Sequence, residues 1–143
     1  MRFMMLVKAN RLSEAGALPS AELVAAMGRY NEAMVKAGVL LAAEGLHATS
    51  KGTRIKFSSG TRVVTDGPFT PAGEQLAGFW MIQVTSRQEA VDWASRIPFT
   101  EGEEVEIRQV FEATDFPAEI LPPEDAAREQ ALRDELQPKA GKP

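Results

Sequence analysis

Three segments of the chain are apolar at almost every position. They are residues 2–8 (RFMMLVK), 39–43 (VLLAA) and 79–84 (FWMIQV). A strand with one wet face alternates between polar and apolar residues, whereas a strand in the interior of a sheet is apolar on both faces. These segments therefore predict three strands that are too apolar to leave either face in water.

Two shorter segments alternate between polar and apolar residues. Residues 53–58 (TRIKFS) and 61–65 (TRVVT) flank Ser59-Gly60, a common hairpin turn signal. This pattern predicts a β-hairpin with one buried face and one wet face. Residues 105–111 predict a further strand near the end of the domain.

Two segments repeat apolar residues at helical spacing. Residues 20–37 predict a helix that is capped by a serine and ends before Gly38, where a C-cap glycine belongs. Residues 86–89 (SRQE) form a capping-box pattern at the start of a second helix, which Pro98 ends.

The element order is thus β-α-β, a hairpin, then β-α-β. Two such units commonly form one antiparallel sheet with both helices on one face, which predicts an α+β, ferredoxin-like sandwich. The apolar strands then leave the second face of the sheet without a cover in a single chain. A second copy of the chain can cover it, so we predict a homodimer.

The C-terminal part differs from the rest in composition. We predict one domain over residues 1–116 and an extension over residues 117–143 with a single helix. Two prolines followed by two acidic residues at 122–125 favour a helix start. The helix has a thin apolar edge, so it is expected to dock lightly on its own subunit or on a partner.

Composition narrows the function classes. The 143 residues include no cysteine and one histidine, so we predict neither a metal site nor a thiol nucleophile, and no motif indicates a cofactor. The net charge of −4 comes from residues 112–143, and no basic stripe suggests nucleic-acid binding. No apolar run is long enough for a membrane span or a signal peptide, so a cytoplasmic location is expected.

Four blocks in order resemble the YCII-related family, and more closely its branch named for the Asp-Gly-Pro-Phe motif. The resemblance extends from Met1 to about Phe116. The blocks are 43-AEGLHATSKGTRIKFSSG-60, 64-VTDGPF-69, 78-GFWMIQV-84 and 106-EIRQVF-111.

The resemblance implies a ferredoxin-like dimer of the α/β-barrel kind, with the two sheets facing each other. Some members are proposed to use a His–Asp pair, and one relative dehalogenates an aromatic ring. Members of the branch are often encoded beside extracytoplasmic-function sigma factors, which implies a regulatory setting. The histidine of the YCII-like enzymes lies on the first helix, whereas residues 20–37 contain none, and His47 follows the second strand instead.

His47, Asp66 and Glu44 are the candidate catalytic residues. The unperturbed pKa of histidine lies near neutrality, so His47 is the natural acid or base, and a carboxylate could orient it. The alternative is that His47 is a loop residue exposed to water. We expect Glu44 to be partly buried, either in an ion pair or as a pocket acid.

Asp66 also has a structural interpretation, as the brace of the Gly67-Pro68 bend. Phe69 is then expected to anchor that bend in the core. We consider Trp80, Arg54 and Phe69 candidate ligand-binding residues, with Trp80 as a wall of the cleft between the two sheets, although a core position is its alternative.

Two hypotheses about function follow. The first is a non-catalytic homodimer that binds a small molecule or a partner in the inter-sheet cleft, in a regulatory setting. The second is a cofactor-independent enzyme for a small aromatic or lactone-like compound, in which His47 works with Glu44 or Asp66. They differ in whether His47 lies within hydrogen-bond reach of either carboxylate.

Overall fold

A computed structural model of the chain describes residues 1–70 and 74–136. Within these ranges the predicted order of strands and helices is confirmed, and a short helix, α1, is added inside the segment expected to be a loop. The bounds are β1 Arg2–Lys8, α1 Arg11–Glu14, α2 Ala21–Lys36, β2 Leu40–Gly45, β3 Thr53–Ser58, β4 Thr61–Asp66, β5 Leu76–Gln83, α3 Arg87–Ala94, β6 Val105–Gln109 and α4 Pro123–Leu136.

Four of the strands form one antiparallel sheet in the order β2-β5-β1-β6. The α+β class with antiparallel sheets and a C-terminal helix is therefore confirmed, and the strand order is compatible with a ferredoxin-like fold. None of the helices in 1–70 and 74–136 has the length and apolar content needed to cross a bilayer.

Helices α2 and α3 cover one face of this sheet. Met5 of β1, Met34 of α2 and Ile82 of β5 have no exposed surface, and the Tyr30 hydroxyl of α2 donates to the Trp93 carbonyl of α3 at 2.8 Å. That bond joins the two helices over the sheet. The core therefore lies between the helices and one face of the sheet.

The helix ends follow the predicted capping residues, with one correction. The Ser20 hydroxyl accepts from the Leu23 N–H at 3.1 Å, and Ser86 accepts from the Glu89 N–H at 3.1 Å. The Glu89 carboxylate does not complete the predicted capping box, because it accepts from both the N–H and the hydroxyl of Thr85. Those two bonds favour the ionised carboxylate and lower the pKa of Glu89.

The hairpin of β3 and β4 is a separate two-stranded sheet. All twelve of its strand residues are exposed. The prediction that one face of the hairpin is buried is therefore wrong for the single chain. The alternating pattern correctly identified an apolar face, but no part of the described chain buries it.

An ion-pair network joins the C-terminal segment to the sheet. The Glu112 carboxylate accepts from Arg2 Nε at 2.8 Å, at the start of β1, and from Arg133 Nη1 of α4 at 3.2 Å. No residue of α4 is buried. Glu112 thus anchors α4 beside the sheet without drawing that helix into the core.

Candidate functional site

The sheet face opposite the helices carries apolar side chains outside the core. Strand register places Met4 beside Met81 and Leu6 beside Phe79 on this face. We call this surface the open face. These four side chains are half-buried and do not belong to the core cluster under the helices. The open face is therefore an apolar floor with partly accessible side chains.

Trp80 lies on the other face of β5. Register pairs it with Met5, only 7% of it is exposed, and its indole N–H donates to the Asn31 side chain of α2 at 2.7 Å. Its ring packs edge-on against Tyr30. The prediction that Trp80 is a wall of the open cleft is therefore corrected: Trp80 is a core residue, and its neighbour Phe79 occupies the open face.

Glu44 is placed at the edge of the open face. It lies opposite Phe79 in the register of β2 and β5. Its side chain is exposed, contrary to the expectation of partial burial, and it forms no ion pair within the described parts of the chain. Glu44 is thus an accessible carboxylate beside an aromatic ring.

His47 follows directly in the loop after β2. The backbone N–H of Leu46 donates to the Ala77 carbonyl at 2.9 Å, which holds the start of this loop against β5. The His47 side chain is exposed and makes no hydrogen bond to Glu44 or Asp66 among the described residues. The loop therefore presents His47 to solvent close in sequence to Glu44.

The Asp-Gly-Pro-Phe motif locks this loop through its backbone. The Gly67 N–H donates to the Gly52 carbonyl, and the Gly52 N–H donates to the Thr49 carbonyl, both at 2.9 Å. A Cβ atom on Gly67 would lie 1.7 Å from the Thr49 carbonyl oxygen, which is far inside contact distance. Only glycine allows the two backbones this approach.

We call the contacts among Thr49, Gly52 and Gly67 the lock, and Thr49 lies at its centre. Its N–H donates to one Glu14 carboxylate oxygen at 3.1 Å, and its hydroxyl donates to the other. The same hydroxyl oxygen accepts from the Phe69 N–H at 2.9 Å. One carboxylate after β1 therefore connects the loop after His47 to the motif after β4.

Asp66 has a different partner from the predicted ones. Its Oδ1 accepts from the Thr53 hydroxyl at 3.0 Å, across the base of the hairpin. The backbone bond expected of a turn brace is impossible two residues on, because Pro68 has no N–H. Asp66 therefore fastens the hairpin base and is not joined to His47 by a hydrogen bond.

Arg54 and Phe69 contact each other at the base of the hairpin. The Arg54 guanidinium lies 4.0 Å above the centre of the Phe69 ring and donates to the Gln75 side chain at 3.2 Å. Gln75 is buried, whereas Phe69 is half-buried and lies outside the core cluster. Phe69 therefore anchors the bend under an arginine and not in the main core as predicted.

The site that results combines an apolar floor with two polar groups. The floor is the open face, Glu44 stands at its edge on β2, and His47 follows in the next loop. A carboxylate can accept a hydrogen bond from a ligand, and an imidazole can donate or accept one. No group of three acidic or histidine side chains that could hold a metal occurs within 1–70 and 74–136.

Sequence reasoning missed the residues that position this loop. No role was predicted for Glu14 or for Thr49. Neither residue stands in a recognisable motif, and both act over long sequence separations. The one usable signal was Gly67, because a glycine before a proline at the end of a strand indicates a backbone with special requirements.

Comparisons with known proteins show which sequences this chain resembles. The sequence profile of the YCII-related domain matches residues 1–114. An uncharacterized protein of Rhizobium meliloti (strain 1021) is 40% identical over 60 residues, a stretch that covers 42% of this chain and 48% of the relative. The similarity thus spans about half of that relative. On the extent of the profile match, the chain belongs to the YCII-related family.

Proposed function

We propose that the protein is a homodimer whose two open faces pack against each other and enclose a small-molecule binding cleft. The observation that carries this proposal is the apolar open face. Met4, Leu6 and Phe79 stand there outside the helix-covered core. Burying apolar surface stabilises association by about 25 cal/mol per Å² before the costs of association, so a second sheet is the natural cover.

The asymmetry of the two sheet faces supports a second copy as that cover. An isologous contact pairs a surface with itself, which suits an apolar face flanked by both acidic and basic groups. Glu106 lies on the open face in register with Leu6, accepts a hydrogen bond from Arg108 at 3.3 Å and forms an ion pair with Lys8 at 3.6 Å. The charge of Glu106 is therefore compensated within its own chain.

The binding cleft is proposed at the end of β2, where Glu44 lies beside the apolar floor and His47 follows in the next loop. A small aromatic compound with a hydroxyl or acid group fits this chemistry. Its ring would contact Phe79, and its polar group would reach Glu44 or His47. We favour binding over catalysis because Asp66 accepts from Thr53 and, within residues 1–70 and 74–136, no hydrogen bond gives His47 a carboxylate partner.

A regulatory role is part of this proposal. A dimer that changes stability when a small molecule enters its cleft can report that molecule to a partner, and no reaction is needed. The sigma-factor setting implied by the resemblance of the Asp-Gly-Pro-Phe blocks gives such a sensor a plausible output. In this role the bound ligand itself is the signal, and the protein forms no covalent product from it.

Light scattering at micromolar concentration tests the dimer. The expected mass is twice the 15.6 kDa of one chain. Leu6→Asp places a charge on the open face and should give a folded monomer, whereas Val35→Asp, on an exposed position of α2, should remain dimeric. A monomeric wild-type protein at this concentration would refute the proposal.

A thermal-shift screen of small acids and phenols tests the cleft. A ligand at one hundred times its Kd stabilises the native state by about 2.7 kcal/mol, which raises the Tm measurably. The shift should disappear in His47→Ala and persist in Lys36→Ala, a matched exposed change on α2. A shift that survives His47→Ala and Glu44→Gln would place the ligand elsewhere.

A further inference from the structure

The hairpin carries an apolar face that its own chain leaves exposed. Register places Ile55 opposite Val64 and Phe57 opposite Arg62 on this face. Ile55, Phe57 and Val64 are 55%, 70% and 62% exposed. A two-stranded hairpin is marginally stable alone in water, and apolar surface of this kind usually marks an interaction site.

A second uncovered apolar surface lies in the C-terminal segment. A cleft of about 380 Å³ opens between the chain after β6 and helix α4. Its apolar lining consists of Phe111, Phe116, Ile120 and Leu121, and Phe111 is 69% exposed. The centres of the Phe111 and Phe116 rings lie 5.1 Å apart, and the two rings form one wall of the cleft.

The two surfaces carry opposite charge. Residues 53–66 of the hairpin hold three basic side chains and one acidic one, whereas residues 112–136 hold two basic and eight acidic ones. Contacts between two hairpins or between two clefts would therefore bring like charges together. Opposite charge favours a hairpin against a cleft and disfavours both self-pairings.

The hairpin and the cleft of one chain are fixed to opposite ends of β1. The hairpin base is bonded through Thr49 to Glu14, shortly after β1 ends, while the cleft is held through Glu112 to Arg2, where β1 begins. The seven residues of β1 span roughly 20 Å at about 3.3 Å per residue. A hairpin is therefore far from the cleft of its own chain.

A second copy removes this separation. When a two-fold axis runs across the strands, the end of β1 in one copy lies near the start of β1 in the other. Such an axis also produces two equivalent hairpin-to-cleft contacts in each dimer. The occupant with matching shape, charge and position is therefore another copy of this chain.

We propose that the basic hairpin of each copy packs its apolar face into the aromatic-lined cleft of the acidic C-terminal segment of the other copy. This clasp rests on the dimer proposed above and adds a second contact area to the open faces. The strands of the hairpin continue directly into Gly52 and Gly67, which lock the loop after His47. Docking of the hairpin thus fixes the candidate site from outside the chain that carries it.

Single-cysteine variants test the clasp directly, because the natural chain has no cysteine. Val64→Cys and Ile120→Cys, carried on chains with different tags and refolded together, should form a disulfide between the two variants on oxidation. Val24→Cys, an exposed position on α2, replaces Val64→Cys in the control and should give no bond. The reduced mixtures are measured by light scattering beforehand.

The outcomes separate the two proposals. Dimers that form the Val64–Ile120 bond well above the control support the clasp. Dimers that form no such bond, or that link Val64→Cys to itself, overturn the clasp and leave the open-face dimer standing. Reduced mixtures that are monomeric, together with a monomeric wild type, overturn both.

A charge reversal gives a second, independent measurement. Arg62→Glu on the apolar face of the hairpin should weaken the dimer about tenfold, and Glu129→Arg at the cleft should restore part of the loss in the double variant. Arg29→Glu on α2 is the matched control and should leave the dimer Kd unchanged. Equal effects of Arg62→Glu and Arg29→Glu would contradict the clasp.

Discussion

The two sides of the sheet differ in how far one chain can complete them. On the covered side, Trp80 packs under α2 with its indole hydrogen-bonded to Asn31. On the open side, the preceding residue, Phe79, stands outside the core. Both residues belong to one strand that is apolar on both faces. The two helices pack against one of these faces, so the apolar pattern alone does not tell which face the chain itself buries.

Trp80→Ala should be the most damaging change, because it removes a large buried ring from the covered side. We expect a loss of about 3–5 kcal/mol in the free energy of unfolding. Urea unfolding at several protein concentrations measures it, and the loss should not vary with concentration.

Phe79→Ala is the matched change on the open side. Its cost should shrink as the protein is diluted, because the ring is proposed to be buried only in the dimer. A large loss in the free energy of unfolding that is the same at every protein concentration would mean that Phe79 is already buried within the single chain.

Outside the four-stranded sheet the chain contains one closely packed element, the backbone contact between Gly67 and Thr49. Gly67→Ala places a methyl group 1.7 Å from the Thr49 carbonyl oxygen, so the backbone must move. We expect a cost of about 1–3 kcal/mol by urea unfolding, typical of overpacking. Gly45→Ala is the control, because a Cβ atom there meets nothing within 4 Å, and it should change stability little. Equal costs would show that the lock does not constrain the loop.

The contrast also explains what the sequence could and could not predict. Alternation and capping residues are local signals, so the strands, the two helices and the Ser20 cap were predicted closely. The local sequence does not tell which face of β5 meets the helices, because residues 79–84 are mostly apolar at both odd and even positions. The sequence therefore left Trp80 open between a wall of the cleft and a core position, and the structure places it in the core.

The candidate site was less predictable for a related reason. The approach of Gly67 to Thr49 and the bonds of Thr49 to Glu14 join segments that are far apart in sequence. The alternation of β3 correctly marked an apolar face, yet nothing local to the hairpin says whether its own chain or another covers it. His47 and Glu44 could be proposed as candidates because the chemistry of a histidine and a carboxylate is visible in the sequence.

Tyr30 tests the covered side by pH. Burial raises its pKa to about 12 from an ordinary value of 10.0. Below pH 10 both the native and unfolded states keep the phenol neutral. Between pH 10 and about 12 only the unfolded state releases the proton, so this residue lowers stability as pH rises through that window.

The chain has a single tyrosine, so absorbance at 295 nm follows its ionisation directly. Tyr30→Phe should cost about 1 kcal/mol at neutral pH through the lost bond to the Trp93 carbonyl. It should also lose stability less steeply than the wild type between pH 10 and 12. A phenol that titrates near 10 in the folded protein would show that the covered side admits water.

Asp66 should give the smallest effect, because its bond to Thr53 is exposed. Asp66→Ala is expected to cost about 0.5 kcal/mol, at the low end for a hydrogen bond. The matched partner change is Thr53→Val, and the double variant should cost little more than either single change, since both remove the same bond. Additive costs would mean that Asp66 has another partner. A normal unfolding curve combined with loss of a ligand shift would move Asp66 from the hairpin base into the binding cleft.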